Sequence, residues 1–270
     1  MPDKRAGMKR RDFLLKSTFF LTGSLLGLRC WSKTYADPCA INNPQIALII
    51  DDIGFSESRL DRFLDIGAPF TFSILPKLRK SCFLAQKIHG EGHEVMLHQP
   101  MEPLDPTIDP GPGALFVEDP PDKIADIIKE NISETPYVTG INNHMGSRFT
   151  ACGTEMKEAL SVVRDEGLFF VDSLTTSRST GYNTAKTMHI SAVRRNVFID
   201  NNPNENFIHT QLKKLKLLAL KHGQAIGIGH PLPETAKMVN LFIQELNTTN
   251  ISMVPISHLL PPASVSFNLY

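Results

Sequence analysis

Four short stretches constrain the fold of this chain most, because each is an apolar run that ends in polar residues able to take part in chemistry. They are residues 49–52 (Ile-Ile-Asp-Asp), 95–98 (Val-Met-Leu-His), 141–144 (Ile-Asn-Asn-His) and 226–230 (Ile-Gly-Ile-Gly-His). In proteins built from parallel strands and helices, residues just past the carboxyl ends of the strands gather on one rim, where active sites form. The pattern therefore predicts that two aspartates and three histidines meet there, bind a divalent metal and hydrolyse an acyl group.

The rest of the chain also alternates between strand-like and helix-like segments from Gln45 onward, which is typical of a parallel sheet or barrel with helices outside. The predicted strands are residues 46–50, 70–75, 94–97, 138–142, 168–171, 196–199, 225–229 and 251–254. Ser56 and Thr154 are predicted helix caps, and Phe83 is expected to face the core. Seven or eight such units predict an α/β protein with one distorted (β/α) barrel, complete or incomplete, over residues 45–262.

A proline-rich stretch interrupts this alternation at residues 99–121, where no regular element can run far. Long loops in compact domains are usually lids or binding loops. Since this one begins directly after His98, it is predicted to lie on the functional rim.

Composition excludes some functions. The chain of 270 residues has 28 basic and 28 acidic side chains and 41% hydrophobic residues. It can bury one large core without a partner, and its zero net charge argues against binding nucleic acid through an overall basic excess; a local basic patch is the alternative.

The first 36 residues resemble an export signal. Arg10 and Arg11 precede an apolar stretch at residues 19–28 that is too short to span a bilayer, and the pattern is similar to a twin-arginine signal. Cleavage after Ala36 is predicted, with residues 37–44 as a linker and 263–270 as a tail; the alternative is an uncleaved membrane anchor. Either way we expect a periplasmic or cell-envelope protein that contacts membrane only through this segment.

The cysteines at positions 30, 39, 82 and 152 do not have the close spacing of a zinc knuckle. A disulfide between Cys82 and either Cys39 or Cys152 is one alternative. The alternative for Cys82 is a small buried side chain.

The chemistry of the rim is predicted from donor types. Asp51 and Asp52 should point to different sides of the strand end, so that one holds a metal and the other acts as a base; the alternative is that both cap the next helix. With Asp52, His98 and His144 as protein ligands and water in the open position, the set matches a catalytic zinc site, although nickel or cobalt would suit similar donors. For each of the two histidines the alternative is a structural role in the core. His230 is placed to protonate a leaving amine or to stabilise an oxyanion.

Together, four motifs give the chain a resemblance to the divergent polysaccharide deacetylase family over roughly residues 44–261. The motifs are residues 50–54 (Ile-Asp-Asp-Ile-Gly), 92–103 (from Gly-His-Glu to His-Gln-Pro-Met-Glu-Pro), 142–148 (Asn-Asn-His-Met-Gly-Ser-Arg) and 229–231 (Gly-His-Pro). The resemblance implies a distorted (β/α) barrel, a bound divalent cation and removal of N- or O-acetyl groups from sugar polymers. It also implies that Asp51 is the catalytic base, that Asp52 and His98 are metal ligands, and that His230 is a catalytic histidine.

One departure from the better-characterised deacetylases concerns the position of their second metal histidine, which here is Glu102. We expect His144 to supply the missing ligand, with Glu102 as a further ligand or as a supporting residue. Asp172 is expected to be a further metal ligand, to support the base or contact substrate, or else to cap a helix. Arg148 is expected to pair with an anionic substrate group or with Asp51. Asn143 and Ser147 complete the predicted substrate-binding set.

Three hypotheses about function follow. The first is a metal-dependent deacetylase in carbohydrate metabolism, acting on an acetylated glycan of the envelope. The second is a catalytically silent glycan-binding or scaffolding protein that keeps the metal, and the third is an esterase or amidase for a smaller acyl substrate. The only tryptophan, Trp31, lies in the predicted signal, so stacking on sugars would fall to Phe116, Phe149 or Tyr182.

Overall fold

Eight parallel strands follow one another around an incomplete barrel in the computed structural model, which describes residues 43–261. The strands are β1 (Gln45–Ile53), β2 (Thr71–Ile74), β3 (Glu94–Met101), β4 (Val138–Met145), β5 (Phe169–Asp172), β6 (Ala192–Arg194), β7 (Val197–Phe198) and β8 (Gln224–Gly229), with a short ninth strand, β9 (Ser252–Met253). Their order is β6-β5-β4-β3-β2-β1-β8-β7, and β9 pairs with the start of β1. The predicted barrel is confirmed in its incomplete form.

The barrel has a seam between β6 and β7, which are consecutive in the chain but are not paired with each other. Arg195 and Asn196 cross this seam. The Arg195 backbone N–H donates to the carbonyl of Asp172 at 3.0 Å, and that of Asn196 donates to the carbonyl of Ile226 at 2.9 Å. The two sides of the seam are therefore joined through backbone groups of the connecting residues.

Seven helices lie among the described residues and cover the outside of the strands. They are α1 (Glu57–Leu64), α2 (Ser81–Gly90), α3 (Pro121–Glu134), α4 (Gly153–Asp165), α5 (Gly181–Thr187), α6 (Glu205–His222) and α7 (Pro233–Leu246). The longest, α6, is well delimited by its sequence. Asn204 accepts hydrogen bonds from the backbone of Asn206 and Phe207 at its start, and Gly223, with φ 83°, ends it in the left-handed conformation that glycine favours.

Strand β1 is buried on both faces, as its continuous apolar run requires. Ile46, Leu48 and Ile50 pack against the outer helices, whereas Ala47 and Ile49 point into the barrel. A 3₁₀ helix, Ile256–Leu259, covers the amino-terminal end of the barrel, since the backbone N–H of its first residue donates to Thr71 Oγ1 at the start of β2. The carboxyl ends of the strands are left as the open rim.

Several local expectations are wrong. Phe83 is 50% exposed because Leu84 and Ile88, four residues apart, define the buried face of α2 instead. Helix α4 begins at Gly153, one residue before the predicted cap Thr154. Helix α5 and strand β6 were not predicted.

The cysteine alternatives are also decided in part. Cys82 is exposed rather than buried, and both Cys82 and Cys152 are free thiols, so these two do not form a disulfide. Cys39, the predicted export signal, the linker up to residue 42 and the tail from residue 263 lie outside the described residues. Within residues 43–261, no helix is long and apolar enough to cross a membrane.

Candidate metal centre

A cluster of three side chains at the rim could hold a metal ion: Asp52, His98 and His144. Asp52 Oδ1 lies 3.2 Å from His98 Nε2 and 3.0 Å from His144 Nδ1. The two imidazole nitrogens are 3.1 Å apart. These donors form a nearly equilateral triangle, and they are the three residues that the sequence predicted as ligands.

The donors fit a divalent cation in two respects. Asp52 Oδ1 is buried and has no hydrogen-bond partner among the described residues, although a buried carboxylate oxygen normally needs one. Ligands about 2.0–2.2 Å from a tetrahedral zinc lie about 3.3–3.6 Å from one another, which is close to the triangle observed here. One carboxylate oxygen with two imidazole nitrogens is also a donor set that zinc prefers in proteins.

Strand register brings the two histidines together. His98 on β3 is paired with Asn142 on β4, and Pro100 with His144. Because alternate residues of a strand face the same side, Asn142 and His144 both lie on the side of His98.

The backbone of Asp52 changes what was expected of the two aspartates. Asp52 has φ 58° and lies where the pairing of β1 with β2 is irregular, between Ile50 and Ile53. This left-handed residue breaks the alternation of the strand, so the expectation that Asp51 and Asp52 point to different sides is wrong. Asp51 Oδ2 lies 3.6 Å from the same His98 Nε2 that Asp52 approaches.

Asn142 joins the base to the ligands, and the sequence analysis assigned it no role. Its Nδ2 donates to Asp51 Oδ1 at 2.8 Å, so its Oδ1 must be the acceptor for His98 Nδ1 at 2.7 Å. Ser73 Oγ donates to the same oxygen. His98 therefore carries its proton on Nδ1 and presents the lone pair of Nε2 to the cluster.

Burial and charge give the two aspartates different properties. Burial raises the pKa of Asp51 above its ordinary value, although the charges of His98 and His230 and the bond from Asn142 oppose it. For Asp52 the effect of burial is outweighed by contacts with the two histidines of the cluster, which lower its pKa. Asp52 is thus held as a carboxylate, and Asp51 has the higher proton affinity that a base requires.

His230 lies on the opposite side of Asp52, with its Nε2 3.8 Å from Asp52 Oδ2. Its Nδ1 is 2.9 Å from Asp200 Oδ1, and Asp200 Oδ2 accepts from the His230 backbone N–H at 2.6 Å and from Thr235 Oγ1 at 2.8 Å. Burial lowers the pKa of His230, but the hydrogen bond and charge of Asp200 raise it to about 9. The Nε2–H of a protonated His230 is therefore available to the site.

Glu102 and Arg148 do not lie in the donor cluster. Glu102 accepts from the backbone N–H of Val117 at 2.9 Å and from Arg148 Nη1 at 2.5 Å. Arg148 also lies 3.8 Å from Glu118, so it pairs with acids of the long loop rather than with Asp51. Both oxygens of Glu102 are used to fix this loop, which agrees with the supporting role rather than with a place in the donor cluster.

Asp172 and Asn143 are buried, and their side chains form hydrogen bonds with backbone groups. Asp172 accepts from Leu174 N, Ser179 Oγ and, in the first turn of α5, Tyr182 N, which agrees with the helix-cap alternative rather than with a ligand. Asn143 donates to the carbonyl of Met145 and accepts from Ser173 N. Being 1% exposed, Asn143 cannot contact a substrate, which corrects its assignment.

Two further assignments change. Ser147 Oγ accepts from the backbone N–H of Leu104 at 2.9 Å, which attaches the long loop to the end of β4. Phe149 is completely buried, so it cannot stack on a sugar, whereas Phe116 is 41% exposed.

Sequence reasoning missed Asp200 and Arg195 as well as Asn142. Arg195 donates to the carbonyls of Ser173 and Leu174, and the charge of Asp51 partly offsets the lowering of its pKa by burial. Asp200 follows the predicted strand 196–199, so its position at a strand end was the available signal.

The arrangement as a whole provides a buried carboxylate base, a three-donor cation site and a cationic imidazole within a few ångströms of one another. Such a set can activate water, hold a carbonyl and protonate a leaving group. It is suited to the hydrolysis of an amide or ester.

Comparisons with known proteins agree with this architecture. Residues 48–260 match the family described as divergent polysaccharide deacetylase. The uncharacterized protein YibQ of Escherichia coli is 31% identical over 230 residues, which are 84% of this chain and 72% of YibQ.

Three solved structures share the fold. The uncharacterized protein ATU2773 of Agrobacterium tumefaciens superposes with a TM-score of 0.77 at 24% identity, over 81% of this chain and 89% of that one. A Bacillus anthracis BA3943 mutant, a CE4 family pseudoenzyme with restored enzymatic activity, gives 0.53 at 16% identity, over 81% and 68%. The catalytic domain of a peptidoglycan N-acetylglucosamine deacetylase from Eubacterium rectale gives 0.52 at 15% identity, over 79% and 88%. At these identities the likeness shows the fold alone.

Proposed function

Because this chain belongs to the divergent polysaccharide deacetylase family, we propose that it is a metal-dependent hydrolase that removes acetyl groups from an acetylated glycan of the cell envelope. The observation that carries the proposal is the position of Asp51. Its Oδ2 lies 3.6 Å from His98 Nε2, directly beside the three-donor cluster, while its Oδ1 is held by Asn142. The proposal depends on this second carboxylate oxygen, which lies beside the cluster where a general base is needed.

The role of each side chain follows from the atom that is not already bound to a neighbouring residue. A bound divalent cation would polarise the acyl carbonyl and ease the loss of a proton from water. Asp51 Oδ2 takes the proton of the attacking water, because Oδ1 is occupied by Asn142. His230 Nε2 donates a proton to the leaving nitrogen, because its Nδ1 is bound to Asp200. The C–N bond breaks, the nitrogen leaves as an amine that carries the proton from His230, and the new C–O bond gives acetic acid, which ionises to acetate.

Zinc is the metal we propose, since two imidazoles and one carboxylate with an open position form a common catalytic zinc site. Nickel and cobalt bind similar donors and are the alternatives. The envelope location rests on the twin-arginine-like pattern around Arg10 and Arg11. The glycan substrate is proposed from the family description and from the peptidoglycan deacetylase that shares the fold.

The test begins with metal content. The mature segment is purified without chelator, and bound metal is measured for the wild type, His98→Ala and His144→Ala. About one metal per chain is expected in the wild type, and its loss in both variants would support the cluster. Asp51→Asn is the matched control, because an amide can still accept from Asn142 while it cannot take a proton; it should keep the metal.

Acetate release from acetylated chito-oligomers and from peptidoglycan then tests catalysis. The wild type should release acetate, and Asp51→Asn should lose this activity while it retains metal. Metal without turnover on any acetylated substrate would instead favour the catalytically silent glycan-binding or scaffolding alternative. Turnover restricted to small amides or esters would favour the third hypothesis. A wild type that carries no metal and gains none on titration with zinc or cobalt would contradict the site.

A further inference from the structure

Two cavities meet at the candidate metal centre, and Asp52 and Phe55 line both of them. The first contains His230 and Arg59 and is called the amine-side cavity below. The second contains His144 and Met145 and is called the rim cavity. A substrate bound at the cluster therefore has two directions in which its ends can extend.

The walls of the rim cavity are mainly apolar and come from five parts of the chain. They include Phe55, Leu75, Leu78, Pro100, Pro112 and Met145. Asp109 also lines it, but the Oδ1 of this exposed residue accepts from Gly111 N within its own loop. Such a wall suits a hydrocarbon group better than a sugar ring, whose hydroxyls need hydrogen-bond partners.

The position of His230 orients the substrate. The nitrogen that leaves must lie within reach of His230 Nε2, which lies on the side of Asp52 that faces the amine-side cavity. The acyl carbon lies at the donor cluster, so the remainder of the acyl group extends away from His230. That direction is toward His144, into the rim cavity.

The size of the rim cavity does not match an acetyl group. Its volume is ≈ 290 Å³. A methyl group needs roughly the 30 Å³ that one water molecule occupies in the liquid, so an acetyl methyl would occupy only a small part of this apolar space. A chain of about six to eight carbons would fill most of it.

We propose that the rim cavity is an acyl-chain pocket, so that the protein hydrolyses amides of an amino sugar with medium-chain acyl groups in addition to the acetyl groups of the proposed function, and hydrolyses the longer chains faster. This inference rests on the proposed hydrolase function and specifies its substrate class. Phe55 separates the acyl chain from the amine, and Pro112 of the long loop forms part of the outer wall.

The experiment varies the acyl chain and keeps the amine constant. Glucosamine amides with acyl chains of two, four, six and eight carbons are hydrolysed by the metal-loaded protein, and kcat/KM is measured for each. Each added methylene that becomes buried should raise kcat/KM roughly fourfold, until the cavity is full. A steady fall from acetyl to octanoyl would overturn the pocket and leave the proposed deacetylase function intact.

Two variants localise the preference. Pro112→Trp places a large side chain in the outer wall from an exposed loop position, and Leu78→Phe narrows the cavity from the other wall. In both variants kcat/KM should no longer rise as the acyl chain grows longer. Pro106→Trp is the control, because Pro106 is an exposed residue of the same loop that does not line the cavity. An unchanged chain-length profile in both cavity variants would contradict the assignment.

A binding series covers the case in which no amide is hydrolysed. Aliphatic hydroxamic acids of two to eight carbons are titrated into the metal-loaded protein by calorimetry. Affinity that rises with chain length in the wild type and in Pro106→Trp, but not in Pro112→Trp, would support the pocket even though the proposed catalysis had failed. Affinity that does not depend on chain length would overturn it.

Discussion

The side chain of Asn142 donates to Asp51 Oδ1 at 2.8 Å, and through its own oxygen it accepts from His98 Nδ1 at 2.7 Å. One amide therefore connects the candidate base to a candidate metal ligand. It leaves Asp51 Oδ2 as the only oxygen free to take a proton, and it fixes the tautomer in which His98 Nε2 can bind a cation.

Replacement of the Asn142 amide by a carboxylate should separate metal binding by His98 from proton uptake by Asp51. In Asn142→Asp the new carboxylate still accepts from His98 Nδ1, so about one metal per chain should be retained. It also faces Asp51 Oδ1 without a proton between them, and this repulsion raises the pKa of Asp51 further. The acid limb of the pH profile of acetate release, where activity is lost as the base becomes protonated, should therefore move to higher pH.

Two other variants serve as controls for Asn142. Ser73→Ala removes only the hydroxyl that donates to Asn142 Oδ1, so the acid limb should stay in place. Asn142→Ala removes the support of both neighbours and should weaken metal affinity by about 10–100-fold. If Asn142→Asp kept an unshifted acid limb, Asp51 would not be the group that titrates there.

Asp200 should control the alkaline limb of the pH profile of acetate release. Burial lowers the pKa of His230, but the hydrogen bond and charge of Asp200 raise it to about 9. A general acid must be protonated, so activity falls as the pH rises through this pKa. Asp200→Asn removes the charge, which lowers the pKa of His230 and should move the alkaline limb to lower pH. Thr235→Val keeps the charge of Asp200 and should leave that limb in place; a limb unmoved in Asp200→Asn would exclude His230 as the acid.

The resemblance to better-characterised deacetylases implies a metal histidine at the position of Glu102, yet the oxygens of Glu102 accept from Val117 N and Arg148 Nη1. In Glu102→Gln the amide oxygen can still accept one of these bonds, so the metal content should stay at about one per chain. Loss of the charged pair with Arg148 should loosen the loop, seen as faster proteolysis at residues 102–120. Loss of metal in this variant, at a level similar to His98→Ala, would place Glu102 among the ligands.

The barrel could be predicted from the sequence because most of its strands are apolar runs that end in polar residues. Strand β1, His98 in β3 and His230 directly after β8 were located in this way, and register then placed His98 beside His144. By contrast, β6 has only three residues, and α5 has seven, of which Ala185 alone buries an apolar side chain. Neither element is therefore long or apolar enough to show a periodic pattern.

The polar contacts of the site could not be predicted in the same way. Asp51 and Asn142 are 91 residues apart in the chain, and their hydrogen bond depends on the positions of two strands. The direction of Asp52 depends on one left-handed residue, which strand alternation does not anticipate. Patterns of hydrophobicity identify the rim, whereas the partners of each polar group there depend on the three-dimensional fold.

Close packing of β4 against β5 gives a prediction about the barrel itself. A Cβ atom at Gly140 would lie 2.2 Å from the ring of Phe169, closer than real contacts allow. Gly140→Ala should therefore lower the free energy of unfolding by about 1–3 kcal/mol, because the ring is buried and must shift. Gly153→Ala is the matched control: its Cβ would meet no atom within 4 Å, and alanine favours the first turn of α4. Urea unfolding of both variants measures the difference, and equal midpoints would show that the Phe169 ring can move aside at little cost.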